Sequence, residues 1–264
     1  MSSALSFCIM DLMKRFLILV VCLILGACAH RNPLSNMSFQ TVMAPPYVVA
    51  GWYKITDPGE PIKVYIEGDG HAFNGDGQPT DNPTPRGEFM RRLAAGDPSP
   101  NVAYLGRPCQ FLQTEACTVA DWTVGRFSDS VITAMDSAVA TMMKKARTNQ
   151  VILVGFSGGA QVAGLVAVRH PNRVKRVITV AGVLDHAAWT AYHGDPPLTR
   201  SLNLADSRTA FLALPQTHYA GGKDTVVPAA LIQDFAGSDH VVIVPGAGHG
   251  TGFSKIYSKI YQGE

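Results

Sequence analysis

The sequence predicts an α/β fold in which a mostly parallel sheet is flanked by helices. Short runs rich in Val and Ile alternate with longer segments of helical periodicity, an order typical of strands linked by helices. The last four runs alternate little between apolar and polar residues, as expected for strands that are buried on both faces. Hydrophobic residues make up 47% of the 264 positions, which is enough for a core of this kind.

The individual elements follow from the same patterns. We expect strands at residues 48–55, 62–66, 102–105, 151–154, 177–180, 217–220 and 241–244. Ser128 is placed to cap a long helix that ends near Ala146. Shorter helices are expected at residues 158–168, 185–192, 229–235 and 253–261. Residues 194–214 show little periodicity, so we expect an excursion over the sheet edge that forms at most a small lid.

The N-terminal residues have the pattern of an export signal. Two basic residues precede the uninterrupted apolar run at positions 16–25, and small residues follow it. A membrane-spanning helix needs about 20 apolar residues, so this run is short for one. A short membrane anchor that stays attached to the chain is the alternative.

The end of this segment, from Leu25 to Cys28, resembles the signal of bacterial lipoproteins. The resemblance implies cleavage before Cys28, acylation of that cysteine and attachment to the cell envelope. Because Ala29 follows, it also implies the periplasmic side of the outer membrane; secretion without an anchor is the alternative. We therefore expect a signal peptide at residues 1–27, a lipid-anchored tether at 28–46, where prolines are frequent, and the folded domain at 47–264.

Two cysteines remain beyond the signal and the lipidation site. Cys109 and Cys117 lie close together in a polar stretch, and in an oxidising compartment such a pair is a candidate disulfide. Two free buried thiols are the alternative. No other Cys or His clusters with them, so we expect no metal site here.

The strongest chemical signal follows the predicted strand at residues 151–154. Residues 155–159 read Gly-Phe-Ser-Gly-Gly, with Ser157 at the centre and a helix rich in small residues after it. Glycines beside the serine permit the sharp, strained turn that exposes its hydroxyl at the end of the sheet. The pattern therefore predicts a nucleophile elbow; a glycine-rich turn that only packs a helix on a strand is the alternative.

Downstream of Ser157 the sequence resembles the α/β-hydrolase family, whose members place the acid and then the histidine after the nucleophile. A strand, two glycines and an Asp-x-x-Val-Pro segment surround Asp224, and a glycine-rich loop after the last strand contains His249. The resemblance assigns Ser157 as nucleophile, Asp224 as acid and His249 as base. Asp185, which follows an earlier strand, is the competing acid. We expect His218 to have a structural role.

The loop after the strand at residues 62–66 resembles the His-Gly-x-Gly oxyanion loop of the same family, with Glu67 in place of the histidine. The resemblance implies that the backbone N–H groups of Asp69 and Gly158 form the oxyanion hole. His71 is a further candidate to reach the site. A plain hairpin-like turn at this loop is the alternative.

Two arginines follow another strand end, at a sheet edge where ligands bind in open α/β folds. Arg107 and Arg126 either contact an anionic group of the substrate or pair with carboxylates of the protein. The sequence leaves both interpretations open.

Taken together, these features predict a serine hydrolase that cleaves a carboxylic ester or related acyl bond through an acyl-enzyme, without metal or cofactor. Carboxylesterase is the default, while lipases, thioesterases, peptidases and acyltransferases share this machinery. A catalytically silent envelope lipoprotein that uses the scaffold for binding is the alternative. The expected partners are a small-molecule substrate and a membrane reached through the lipid anchor. The formal net charge of +2 argues against a nucleic-acid partner.

Overall fold

A single eight-stranded sheet organises the protein in the computed structural model, which describes residues 32–263. The strand order is β1-β2-β4-β3-β5-β6-β7-β8, and only β2 runs antiparallel to its neighbours. The strands are Ser38–Ala44, Tyr47–Ile55, Ile62–Ile66, Asn101–Leu105, Val151–Phe156, Val174–Val180, Gln216–Gly221 and Val241–Val244. The predicted α/β class, with a mostly parallel sheet, is confirmed, and every predicted strand is present.

The N-terminal boundary of the folded domain was predicted wrongly. Residues 38–44 are not a tether; they form the edge strand β1, which pairs antiparallel with β2 from Ser38 opposite Tyr53 to Ala44 opposite Tyr47. Val42 and Ala44 point into the core, and Leu34 is also buried. Pro45 and Pro46, which suggested a linker, form the tight connection between the two strands. The fold thus includes residues 32–46.

The helices, numbered α1 to α7, lie on both sides of the sheet. They are Phe89–Gly96, Asp129–Lys145, Gly158–Arg169, His186–His193, Arg208–Leu212, Ala229–Ala236 and Tyr257–Gln262. Ser128 caps α2 as predicted, with its side chain accepting a hydrogen bond from the Val131 N–H. Helix α1 was not predicted. The candidate at 253–261 divides into a 3-10 turn, Phe253–Ile256, followed by α7.

Alternate side chains of the central strands enter two separate cores. Val64 and Ile66 of β3 pack with α2 and α3, while Tyr65 packs on the other side with α1 and α7. This two-sided burial explains why β3 reads as a continuous apolar run rather than an alternating one. It also holds the carboxyl end of β3 rigidly beside that of β5, where the predicted oxyanion loop and Ser157 begin.

The excursion at residues 194–214 packs against helix α3 and against the loop that precedes α2. It contains the 3-10 turn Leu204–Ser207 and helix α5, and Leu204 packs so closely on Gly164 of α3 that a Cβ there would clash. No helix within residues 32–263 combines the length and apolar character required to cross a bilayer. The predicted signal peptide and Cys28 lie outside the described residues.

Candidate active site

Ser157 occupies a sharp turn between β5 and α3. Its backbone has φ of 51° and ψ of −124°, a conformation that side chains rarely adopt and that is strained for any residue except glycine. The glycines around it permit close packing: a Cβ on Gly155 would lie 2.5 Å from the Gly159 carbonyl oxygen. The turn therefore presents the serine hydroxyl at the carboxyl end of the sheet, with the N-terminus of α3 behind it.

Ser157, His249 and Asp224 come together at this sheet end. The Ser157 Oγ lies 3.0 Å from His249 Nε2, and His249 Nδ1 lies 3.0 Å from Asp224 Oδ2. The other carboxylate oxygen, Asp224 Oδ1, accepts hydrogen bonds from the N–H groups of Val226 (2.8 Å) and Val227 (2.9 Å). The acid is thus buried and fixed on both oxygens, so it can hold the imidazole in one orientation.

The loops that carry the acid and the histidine are joined to each other. The Lys223 N–H donates to the Ala247 carbonyl at 2.8 Å, and the Gly222 N–H donates to the Val244 carbonyl at 3.0 Å. The Phe156 ring packs 5.1 Å from the imidazole of His249, measured between ring centroids. These contacts limit the motion of the histidine relative to Ser157.

The competing candidates lie in other environments. Asp185 caps α4 by accepting the N–H groups of Ala187 and Ala188, and its carboxylate also binds the Asn203 side chain at 2.7 Å. The structure therefore pairs Asp224, and not Asp185, with the histidine. His71 does not line the cavity at Ser157.

His218 is fully buried in the sheet. Its ring nitrogens lie 2.8 Å from the Thr179 hydroxyl and 2.8 Å from the Gln216 amide oxygen. Burial, with a smaller effect of His240, lowers the pKa of His218 to about 3, so the ring is neutral at physiological pH. This is the structural position that we expected for it.

The loop after β3 lies directly on the start of α3. A Cβ on Gly68 would lie 3.2 Å from the Ser157 Cβ, and one on Gly159 would lie 2.5 Å from the carbonyl oxygens of Ile66 and Glu67. Asp69 and Gly158, the residues whose amides the family resemblance assigned to the oxyanion hole, are therefore adjacent to Ser157.

Glu67, which stands where the family pattern has a histidine, holds this loop through two hydrogen bonds. Its carboxyl group is buried, accepts the Tyr104 hydroxyl at 2.6 Å and accepts the Gly68 N–H at 2.9 Å. Burial raises the pKa of Glu67, with the hydrogen bonds acting in the opposite direction.

The two arginines pair with a protein carboxylate. Arg107 Nη1 donates to Asp69 Oδ1, and Arg126 Nη1 donates to Asp69 Oδ2 at 2.6 Å. Burial by itself would raise the pKa of Asp69, but the guanidinium groups of Arg126 and Arg107 outweigh it and hold that pKa below its ordinary value.

A disulfide joins Cys109 and Cys117, with their Cα atoms 5.7 Å apart. Within the bridged loop lies Gln110, which the sequence did not single out. Its amide nitrogen donates to the Gly68 carbonyl at 2.9 Å, and its amide oxygen accepts the Arg107 N–H at 2.9 Å. The disulfide loop therefore contacts the loop after β3 directly.

An open cavity of about 810 Å³ leads to Ser157. One wall is aromatic: Phe89 packs on Phe156 with centroids 4.9 Å apart and on Tyr257 at 6.4 Å, and Trp189 also lines the cavity. Charged side chains also line it, namely those of Glu67, Asp69, Arg86, Glu88, Arg92 and Arg126. None of the lining residues comes from the fully described segment 194–214, so that segment does not cover the site.

No family model matches this sequence, and no curated protein matches it. Solved structures do match its fold. An esterase from Pyrococcus furiosus is 15% identical, covers 86% of this chain and 89% of its own, and has a TM-score of 0.59. Est1E from Butyrivibrio proteoclasticus, with ferulic acid bound, is 14% identical, covers 85% and 95%, and has a TM-score of 0.60.

A serine hydrolase from Xanthomonas campestris, described as lacking a lid, is 13% identical, covers 86% of this chain and 90% of its own, and has a TM-score of 0.51. With the strand order and the single antiparallel strand β2, these matches define the α/β-hydrolase fold. A shared fold does not by itself assign an activity, because activity depends on the residues of the site.

Proposed function

We propose that this protein is a serine hydrolase that cleaves carboxylic esters through an acyl-enzyme intermediate. The observation that carries the proposal is the continuous series of contacts from Ser157 Oγ to His249 Nε2 and from His249 Nδ1 to Asp224 Oδ2, each at 3.0 Å. A nucleophile, a base within hydrogen-bond reach and a buried acid that orients the base are the arrangement required for acyl transfer.

The reaction follows from this geometry. Ser157 Oγ forms a bond to the ester carbon as His249 Nε2 takes the hydroxyl proton, and Asp224 stabilises the resulting imidazolium. The N–H groups of Asp69 and Gly158 donate to the negative oxygen of the tetrahedral intermediate. The intermediate collapses, the bond to the alcohol breaks, and His249 returns the proton to the departing alkoxide oxygen.

Water completes the cycle. His249 Nε2 takes a proton from the water, whose oxygen attacks the acyl carbon, and a second tetrahedral intermediate forms in the same oxyanion hole. Its collapse releases the carboxylic acid, and the proton on His249 passes to Ser157 Oγ. Every proton and bond is accounted for by the substrate, water and the chain's own residues.

The cavity favours esters of small acids, or acyl groups at the surface of a larger molecule. The cavity is open. Residues 194–214 do not cover it, so they do not enclose a long acyl chain. Its aromatic wall of Phe89, Phe156 and Tyr257 suits a planar or short aliphatic acyl group. The esterases among the structural matches are consistent with this substrate class.

A panel of p-nitrophenyl esters of increasing acyl length, run beside amide and thioester substrates, tests the proposal. We expect turnover of short esters that the Ser157→Ala variant loses. Ser137→Ala is the matched control, because Ser137 lies on an exposed part of α2 and its hydroxyl only donates to the Thr133 carbonyl. Full esterase activity in Ser157→Ala contradicts the assignment, and an inactive folded wild type favours the silent-scaffold alternative.

We also propose that the protein is held in the bacterial cell envelope by acylation of Cys28. The support is the sequence alone, from the basic start and apolar run to Cys28. Stable anchoring needs more than one acyl chain, and a lipoprotein cysteine carries several. Mass spectrometry of the N-terminal peptide tests this: a triacylated Cys28 is expected, and an unmodified Cys28 on the mature protein contradicts it.

A further inference from the structure

Three charged side chains form a compact network behind the proposed oxyanion loop. The carboxylate of Asp69 accepts one guanidinium group on each oxygen, from Arg107 and Arg126. Arg107 also donates through Nη2 to the Arg126 carbonyl, and Arg126 Nε donates to the Thr123 carbonyl at 2.7 Å. The carboxylate is thus held from two directions by side chains that are themselves fixed. We call Asp69, Arg107 and Arg126 the Asp69 clamp.

The clamp contacts the nucleophile turn directly. A Cβ on Gly158 would clash with Asp69 Oδ1 and would lie 3.1 Å from Arg107 Nη1. The side chain of Asp69 therefore lies on the backbone of Gly158. Asp69 and Gly158, whose amides form the proposed oxyanion hole, therefore contact each other through the Asp69 carboxylate.

Neighbouring residues also restrain Arg107 within the clamp. The Arg107 guanidinium lies 4.9 Å from the centroid of the Phe127 ring, and the Arg107 N–H is held by Gln110, which also binds the Gly68 carbonyl. The Cys109–Cys117 disulfide closes the loop that begins beside Arg107. Two guanidinium groups face one carboxylate, and such charge-assisted hydrogen bonds fix the carboxylate more firmly than neutral ones would.

We infer that Arg107 is a positioning residue for catalysis, because it holds the Asp69 carboxylate on Gly158 and thereby fixes the Asp69 amide N–H where it meets the oxyanion. The inference rests on the proposed function. Arg107 is 4% exposed and does not line the cavity, whereas Arg126 does. Arg107 therefore does not reach substrate in the cavity, which separates its effect on the reaction from an effect on substrate binding.

Kinetics of Arg107→Met and Arg107→Lys on a short p-nitrophenyl ester test the inference. We expect Arg107→Met to lower kcat roughly tenfold to a hundredfold with KM unchanged, because a displaced oxyanion donor weakens only transition-state binding. Lysine keeps the charge but cannot reach both Asp69 and the Arg126 carbonyl, so an intermediate kcat is expected. The enzyme concentration used to calculate kcat is taken from active-site titration with a fluorophosphonate, so that misfolded protein does not lower the apparent kcat.

An alkyl trifluoromethyl ketone gives a second readout, because its adduct with Ser157 places an oxyanion in the hole. Its inhibition constant is expected to rise by the factor by which kcat/KM falls, while product-acid inhibition stays constant. Asp69→Asn keeps the backbone amide but loses the ion pairs with Arg107 and Arg126, so it is expected to lower kcat/KM and raise the inhibition constant as Arg107→Met does. This variant also serves if Arg107→Met does not fold.

The matched control is Lys63→Met. Lys63 and Asp97 form another buried ion pair, 2.9 Å apart, which binds the carbonyls of Ile260 and Tyr261 and lies at the opposite end of β3 from the site. We expect this variant to lower the melting temperature without changing kcat. An active wild type whose Arg107 and Asp69 variants keep kcat and inhibitor affinity overturns the inference alone, whereas an inactive wild type overturns the proposed function as well.

Discussion

His249 and Asp224 are joined through one imidazole nitrogen and one carboxylate oxygen, 3.0 Å apart, while the second oxygen of Asp224 is fully occupied by backbone N–H groups. The carboxylate therefore has a single orientation and can hold the proton of the neutral imidazole on Nδ1 only. His249 Nε2, without a proton, is then the nitrogen that faces the Ser157 hydroxyl.

This relationship predicts the effect of Asp224→Asn. An amide of the same shape keeps the backbone hydrogen bonds but favours the wrong imidazole tautomer, so kcat should fall by roughly 10³–10⁴-fold. KM should change little. Steady-state kinetics measure this, with circular dichroism as the check on folding. Asp185→Asn, at the competing acid, should leave kcat within about twofold because Asp185 caps α4 instead.

The close packing of Gly158 and Asp69 predicts that Gly158→Ala impairs catalysis more than folding. The new methyl group would displace the Asp69 side chain from the turn, and kcat should fall roughly a hundredfold. Gly75→Ala is the control, since a Cβ there meets nothing within 4 Å. Equal activity of the two variants would refute the proposed contact between the oxyanion loop and the nucleophile turn.

The neutral His218 predicts a pH-dependent stability. Its pKa is about 3 in the folded protein and near its ordinary value of about 6.5 when unfolded, so below that value the unfolded state binds the extra proton. The stability it contributes is complete above pH 6.5 and is lost as the pH falls toward 3. Over this range the free energy of unfolding should decrease by about 1.4 kcal/mol per pH unit through this group.

Urea unfolding of wild type and His218→Asn at pH 7, 6, 5 and 4 measures this slope. The variant is expected to show a shallower dependence, whatever its stability at pH 7. Parallel slopes for the two proteins would show that His218 is not the group responsible.

The Cys109–Cys117 disulfide predicts a measurable stabilisation. It closes a short loop, with a sequence separation of 8, and the chain-entropy model gives about 2–3 kcal/mol for such a loop. Addition of a reductant should lower the urea midpoint of the wild type by a corresponding amount. The double variant Cys109→Ser/Cys117→Ser should have the lower midpoint already and should not respond to reductant.

The elements that could be predicted from sequence are those whose signals are local. Strand β5, the turn at Ser157 and helix α3 are continuous in the chain, and the apolar run, glycines and helical spacing identify them together. Strand β1 was missed because the prolines after it suggested a linker, although its buried residues alternate as an edge strand requires.

The contacts around the oxyanion loop could not be predicted, because they join distant parts of the chain. Asp69 is separated from Arg107 by 38 positions and from Arg126 by 57, and nothing local distinguishes these arginines from solvent-exposed ones. The choice between Asp185 and Asp224 likewise depends on where each strand ends in the sheet.

The most direct test of the central claim is the reaction of the folded protein with a fluorophosphonate, followed by peptide mass spectrometry. Only a serine activated by its base reacts at a useful rate. The proposed arrangement of Ser157, His249 and Asp224 therefore predicts one adduct, on Ser157. The adduct should be absent in His249→Ala and in protein denatured beforehand. No adduct on folded wild type, or an adduct on a different residue, would contradict the assignment of Ser157 as a catalytic nucleophile.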